Sequence, residues 1–211
     1  EIEKLAGEYF SAGNSGARTA EITSPSLAAK PAVEKRVIEQ VHVCIGAQGL
    51  PFADSRRHAM MVMNDVLGGG LSSRLFQEIR EKKGLVYSIY SYHEPFRDTG
   101  IFAVHAATSR EKYGEVLDLI RSEFGKMIEG DISGDELVRM KKQLRSGFLI
   151  GLENTSNRMI RMARQRIYLG ETYPVEETLK KIDSVTVGDV RALAAEILDA
   201  KRMTTAVLGP V

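Results

Sequence analysis

Residues 67–91 read LGGGLSSRLFQEIREKKGLVYSIYS, and this stretch decides how the chain is built. Three glycines from Gly68 onward end a preceding apolar helix, and a short amphipathic helix is predicted from Ser72 or Ser73 to about Lys82. Gly84 follows that helix, and apolar and polar residues then alternate as they do in a strand. The stretch therefore predicts a helix end, a glycine-rich loop, a second helix and a strand in succession.

The flanking sequence adds strands before this stretch and mainly helices after it. A strand is predicted over residues 36–47, and Asp54 is placed to cap the helix that ends at Gly68. Residues 85–93 and 100–108 predict a hairpin, and Ser133 with Glu136 predicts a capping box. Helices are predicted over 111–128, 133–152, 155–168, 175–182 and 187–198, and a last strand over 203–209. This order predicts an α+β domain, with a mainly antiparallel sheet and helices packed on one face.

The first residues look different from the rest. Ile2, Leu5, Tyr9 and Phe10 share one helical stripe, and a connector rich in small residues and proline follows. We therefore expect residues 1–34 to be the end of a preceding helix plus a linker, and residues 35–211 to be the domain. No Met start and no export signal are visible, which favours a piece of a longer cytoplasmic protein of bacterial type.

Composition excludes several classes of protein. No long uncharged apolar run is present, so a membrane span is not expected. The formal net charge is +1, which gives no general basis for binding nucleic acid. Residues 133–166 are locally basic, with eight basic side chains, but no aromatic platform for base stacking is interleaved among them. A solvated face or a contact with an acidic partner is the preferred interpretation, and a nucleic-acid binder remains an alternative.

Motifs for metal, phosphate or nucleophilic chemistry are absent from the sequence. The four histidines form neither HExxH nor HxxEH, so no zinc site of those types is expected in this chain. The glycine run follows a helix and lacks the lysine of a phosphate-binding loop. Its residues Gly69 and Gly70 are better suited to the wall of a binding cavity, where we expect them to allow positive φ and close approach.

Arg80 and Tyr87 are the remaining candidates for a functional site. Each has a structural explanation alone, since a cation is favoured at a helix C-terminus and tyrosines commonly pack in strands. Together they flank one turn, which favours convergence of a guanidinium and a phenol on one point. Such donors stabilise a carbonyl oxygen or a developing oxyanion without carrying a proton.

The quoted stretch resembles the non-zinc half of the pitrilysin/insulinase family of zinc metallopeptidases, which includes mitochondrial processing peptidase. The glycine run, the SSRLFQEIRE helix, the spacing of Arg80 and Tyr87 and the GLVYSIYS strand occur in the family's order. The similarity extends over about residues 35–210. In that family two homologous α+β halves face each other; the amino-terminal half carries the zinc motif, and the carboxy-terminal half supplies an Arg/Tyr pair.

This resemblance implies a function that the chain performs only with a partner. Arg80 and Tyr87 would bind the peptide backbone near the scissile bond, while zinc would lie in the amino-terminal half or in a partner subunit, and a homo-oligomer is a further expectation. The chain alone is expected to be inactive, since it holds no metal ligands of the family type. The alternative is a non-catalytic structural or partner subunit with the same fold.

Overall fold

Five strands form a single sheet in the computed structural model, which describes residues 1–11, 25 and 30–211. The strands are β1 (Ala32–Lys35), β2 (Val41–Gly49), β3 (Val86–Pro95), β4 (Gly100–Thr108) and β5 (Met203–Gly209). Their order across the sheet is β1-β5-β2-β4-β3. The pairs β5–β2, β2–β4 and β4–β3 are antiparallel, and β1 runs parallel to β5. The predicted hairpin of β3 and β4 is confirmed.

The helices described are α1 (Ile2–Phe10), α2 (Arg57–Gly68), α3 (Tyr113–Glu129), α4 (Gly134–Gly151), α5 (Thr155–Leu169), α6 (Val175–Ser184) and α7 (Val187–Ile197). A π-helix (Phe76–Glu81) follows α2, and a short 3₁₀ helix (Ala200–Arg202) precedes β5. Among these elements, none has both the length and the apolar character that a membrane-spanning helix needs.

The core lies between one face of the sheet and the helices. Residues of β2 alternate, so that Val41, Val43 and Ile45 are buried while the residues between them are half-exposed. Met60 and Met63 of α2 are fully buried against this face, as their helical spacing predicts. The opposite face carries side chains such as Tyr90 that are exposed within the described chain. The predicted α+β architecture, with helices on one face of the sheet, is therefore confirmed.

Helix caps agree with the sequence only in part. The predicted Asp54 cap of α2 is wrong, because Arg56 occupies the N-cap position without a side-chain cap bond, and the Asp54 carboxylate accepts from the Arg56 amide at 2.7 Å instead. Thr186 and Asp189 form a complete capping box at the start of α7. At the start of α4, the Ser133 hydroxyl accepts from the Glu136 amide at 3.1 Å, but the Glu136 carboxylate binds Arg74 instead of closing the box.

Three boundaries differ from the sequence interpretation. Residues 32–35 form the edge strand β1, within the region expected to be connector, and the rest of that region at residues 12–24 and 26–29 lies outside the described residues. Strand β2 begins at Val41 rather than at residue 36. The short helix after the glycines is largely a π-helix and not an α-helix.

Candidate functional site

Arg80 lies in the last turn of the π-helix and is exposed to solvent. The wider turn is shown by the hydrogen bond from the Lys82 amide to the Gln77 carbonyl at 3.0 Å. This bond spans five residues, whereas an α-helical hydrogen bond spans four. Ile79 is fully buried and anchors this helix to the core. The Arg80 guanidinium lies 4.9 Å from the centre of the Phe76 ring, so the ring orients a cation that pairs with no carboxylate in the described chain.

Tyr87 lies on the other side of the turn, at an irregularity in strand β3. The register against β4 shifts between Val86 and Ser88, which leaves Tyr87 as the extra residue of a bulge. Its side chain is 61% exposed, whereas its neighbour Val86 is buried. A bulge redirects one side chain without ending the strand, and here it directs a phenol towards solvent.

Gly84 lies in the turn that joins the π-helix to β3, between Arg80 and Tyr87 in the sequence. Its φ is +60°, a conformation that glycine adopts without steric cost. The Gly84 amide donates to the Arg80 carbonyl at 3.0 Å, and the Leu85 amide donates to the Ile79 carbonyl at 3.1 Å. Arg80 and Tyr87 thus flank one well-bonded turn, although no hydrogen bond joins their side chains among the described residues. Both donors remain available to an external acceptor.

The glycine run is required for close packing rather than for its backbone conformation. The prediction of positive φ at these glycines is wrong, because positive φ occurs at Gly84, Gly130, Gly170 and Gly209 among the described glycines. A Cβ on Gly68 would lie 2.5 Å from the backbone nitrogen of Ser91, and one on Gly69 would lie 2.6 Å from the Cα of Asp65. At Gly70, a Cβ would meet the Gln143 amide nitrogen at 2.7 Å. Gly69 itself is exposed, so the run presents bare backbone beside the π-helix.

Arg74 holds this segment to the helical layer, and the sequence did not single it out. Its guanidinium forms two bonds with the Glu136 carboxylate, at 2.7 and 2.6 Å, and also donates to the Asp131 carbonyl. Both side chains of the ion pair are largely buried, and Glu136 raises the pKa of Arg74. The sequence indicated one half of this ion pair, since Glu136 stands out as a capping residue.

Ser73 is also buried, and its hydroxyl donates to the Gly70 carbonyl at 2.6 Å, which is a local structural contact rather than activation of a nucleophile.

The described residues contain no group of three or more His, Cys, Asp or Glu side chains arranged to hold a metal ion. The nearest approach is His42 with His105 on the open face of the sheet, whose Nδ1 and Nε2 atoms lie 3.4 Å apart. Burial lowers the pKa of His105 and raises that of the neighbouring Cys44 thiol. Because no set of three or more ligand side chains is grouped here in the described chain, this pair does not fit a resident zinc ion, and no chemical step of the chain is assigned to one.

Comparison with protein families and known proteins gives consistent results. The family model described as the peptidase M16 inactive domain matches residues 1–144. An uncharacterised zinc protease of Streptomyces coelicolor is 43% identical over 176 residues, which cover 83% of this chain and 38% of that protein. The chain thus spans well under half the length of this relative.

Solved structures share the fold of the chain. A peptidase M16 inactive domain from Pseudomonas fluorescens superposes with a TM-score of 0.86 at 25% identity, covering 100% of this chain and 51% of that chain. A chain of complex III from Candida albicans superposes with a TM-score of 0.82 at 18% identity, covering 100% of this chain and 53% of that chain, and this likeness concerns the fold alone.

Proposed function

The chain belongs to the peptidase M16 family, to its inactive domain, and from this premise we propose that it is the substrate-contacting half of a zinc-dependent endopeptidase. In this proposal Arg80 and Tyr87 donate hydrogen bonds to the peptide backbone at the scissile bond. The observation that carries the proposal is the turn around Gly84, because a π-helix and a β-bulge present two unpaired donors on its two sides. π-helical turns and bulges recur at functional sites, where they redirect a side chain.

The chemistry assigned to this chain is positioning and charge stabilisation. Zinc held by the other half would supply the hydroxide that attacks the scissile carbonyl. As the carbonyl oxygen gains negative charge, the Arg80 guanidinium and the Tyr87 hydroxyl would donate to it or to the adjacent backbone oxygen. Gly69 and Gly70 would form part of the cavity wall, where a strand of substrate approaches backbone that carries no side chain.

Substitution in the intact protein tests the proposal directly. Tyr87→Phe removes only the hydroxyl, and Arg80→Gln removes the charge; each is expected to lower kcat for peptide cleavage about 100-fold, as loss of an oxyanion donor does. Both side chains are exposed, so the free energy of unfolding should change by less than about 0.5 kcal/mol.

Two substitutions of the same kind serve as controls. Tyr90→Phe lies on the same strand and Arg110→Gln lies on an exposed loop, and neither should change kcat by more than about twofold. If Tyr87→Phe and Arg80→Gln cleave peptide as fast as these controls, the role assigned to the pair is wrong.

A second candidate function is a non-catalytic subunit of the same fold. It is favoured by apolar side chains that are exposed at the end of α4 and along α5, since clustered exposed apolar residues often mark protein contacts. They are Leu149, Ile150, Met159, Met162 and Ile167. This function would be preferred if the intact protein, combined with its zinc-bearing half, cleaved no peptide while still forming a stable complex.

A further inference from the structure

A cavity of about 350 Å³ lies between the loop after β2 and helices α4 and α5. We call it the Phe52–Phe148 cavity, after the two aromatic rings that line it. Its volume is at the small end of the range for small-molecule sites. It also reaches His93, six positions after Tyr87 in β3, which places it roughly 20 Å from the proposed substrate site at 3.3 Å per residue.

Positive side chains line this cavity without negative ones. Arg57, Arg161 and Arg164 contribute to its wall, and no Asp or Glu is among the residues that line it. Arg164 is paired outside the cavity with Glu94, but Arg57 reaches only the Asp54 carbonyl, at 3.4 Å.

Arg161, like Arg57, forms no ion pair in the described chain. It donates only to neutral oxygens in the described chain, namely the carbonyls of Tyr173 and Pro174 and the Thr178 hydroxyl. Burial lowers the pKa of Arg161, which means that its charge is partly removed from water. Asp54 interacts with the charge of Arg57 and Glu176 with that of Arg161, but neither carboxylate forms an ion pair with these arginines in the described chain or lines the cavity. The cavity wall therefore carries positive charge that a bound anion would compensate.

Two neutral donors are buried in the same wall. His58 and Gln165 are each only 7% exposed. The Gln165 carbonyl oxygen accepts from the Tyr173 amide at 3.2 Å, but within the described residues no hydrogen bond involves its side-chain nitrogen or either ring nitrogen of His58. Burial and the nearby cations lower the pKa of His58 to about 4, so its ring is neutral at pH 7 and still holds one N–H donor. None of these nitrogens is among the fully buried side-chain atoms without a partner, so the free donors of both residues are accessible from the cavity. An anionic ligand in the cavity would supply acceptors to both.

The remaining wall is apolar and aromatic. The Arg164 guanidinium lies 5.9 Å from the centre of the Phe52 ring, and Arg161 lies 5.7 Å from that of Phe148. Phe52 also contacts the Tyr168 ring, at 4.9 Å between centres. Met61 and Ile160 complete the apolar surface, so charged and apolar groups lie next to each other around one small volume.

The adjacent cavity at the start of α2 lacks this imbalance. It shares Arg57 and His58, but its two additional cations are already paired, Arg56 with Asp54 and Glu196 and Lys181 with Glu177. The excess positive charge thus belongs to the Phe52–Phe148 cavity and is not a general property of this end of α2.

We propose that the Phe52–Phe148 cavity binds a small organic carboxylate that carries an aromatic or branched apolar group. Arg57 and Arg161 bind the carboxylate, and His58 and Gln165 donate to its oxygens. The apolar group lies between Phe52 and Phe148. The same chemistry is offered by a free acid and by the apolar C-terminal residue of a peptide, and the two sources are separated by experiment.

Calorimetric titration of the intact protein with 3-phenylpropionate tests the site, with 3-phenylpropanol and propionate as partial ligands. The full acid is expected to bind at least tenfold more tightly than either partial ligand, since each lacks one half of the recognition. Ala-Ala-Phe with a free C-terminus and its amide then identify the source: tighter binding by the free peptide than by 3-phenylpropionate indicates a peptide terminus, and the reverse indicates a free acid.

Variants locate the binding in this cavity without relying on one fragile substitution. Arg57→Gln is expected to weaken binding at least tenfold, whereas Arg158→Gln, an exposed arginine on α5 outside the cavity, leaves it unchanged. Ile160→Trp fills the cavity from its half-exposed rim and is expected to abolish binding while keeping the charge. The proposal is overturned if 3-phenylpropanol binds as tightly as the acid, if Arg57→Gln and Arg158→Gln act alike, or if the acid does not bind at 10-fold molar excess in the millimolar range.

Discussion

Asp65 is a buried carboxyl group beneath the glycine run. It is 8% exposed, and its Oδ2 atom has no hydrogen-bond partner among the described residues. Burial raises the pKa of Asp65 to about 6, because the charged form is poorly solvated there. The folded state therefore favours the protonated form, and at neutral pH the ionised carboxylate destabilises the fold.

Asp65→Asn should stabilise the protein at neutral pH. A shift of about two pH units corresponds to about 2 to 3 kcal/mol, and the neutral amide of similar shape removes that cost. The gain in the free energy of unfolding should be full above pH 7, shrink as the pH falls through 6, and vanish below about 4, where wild-type Asp65 is protonated in both states. Urea denaturation of both proteins at each pH measures this difference. A pH-independent gain would show that desolvation of the charge is not the cause.

Comparison at the same pH removes the effect of His58, which has the opposite sign. Its pKa is lowered to about 4, so the unfolded state takes up a proton first and stability is lost as the pH falls from 6.5 towards 4.

Neither the pKa shift of Asp65 nor that of His58 was predicted from sequence, because both depend on which neighbours remove water from the group. By contrast, the exposed positions of Arg80 and Tyr87 follow from their places in the chain, since the end of a short helix and the start of an edge strand are commonly exposed.

At the scale of single elements, the π-helix and the bulge are what periodicity could not predict. Leu75 and Ile79 are four residues apart and both buried, which fits an α-helix and the first part of a π-helix equally well. The extra residue per turn becomes apparent only from the bond between Lys82 and Gln77. Gly84 was predicted correctly as the end of this element, because a positive φ is a property of the local chain.

Replacement of glycine by alanine should have opposite effects on stability at Gly84 and at Gly147. Gly84→Ala should cost about 1 kcal/mol through its positive φ alone, because no atom lies within 4 Å of the new Cβ. Gly147→Ala also meets no atom within 4 Å, but it lies in the exposed interior of α4 and should stabilise the protein by about 0.5 to 1 kcal/mol. Thermal denaturation of the two variants checks both signs. Destabilisation by Gly147→Ala, or no change for Gly84→Ala, would contradict the assignment of backbone conformation.

At the scale of the whole molecule, the sequence was sufficient for the architecture but not for its edges. The alternation of apolar residues in β2 and the helical spacing of Met60 and Met63 indicate which side of each element faces the core. Burial of one face of each element is what specifies a layered fold. Strand β1 has no such pattern of buried residues, since its four residues are all exposed, and it is a strand because it pairs with β5. The ion pair of Arg74 with Glu136 was also not predictable, because it joins positions 62 residues apart.

That ion pair connects the segment that carries Arg80 to the helical layer, so its loss should affect both stability and local order. Glu136→Gln leaves the largely buried Arg74 without a counterion and should cost about 3 kcal/mol, whereas Glu78→Gln, in the exposed pair with Lys82, should cost less than about 0.5 kcal/mol. The double variant Arg74→Met with Glu136→Leu should recover most of the loss, since replacing both charges removes the unpaired ion. Hydrogen exchange should be faster for the Lys82 and Leu85 amides in Glu136→Gln than in Glu78→Gln, because the π-helix then lacks its connection to α4. Equal exchange in the two variants, despite the difference in stability, would mean that the ion pair stabilises the domain without holding the Arg80 segment in place.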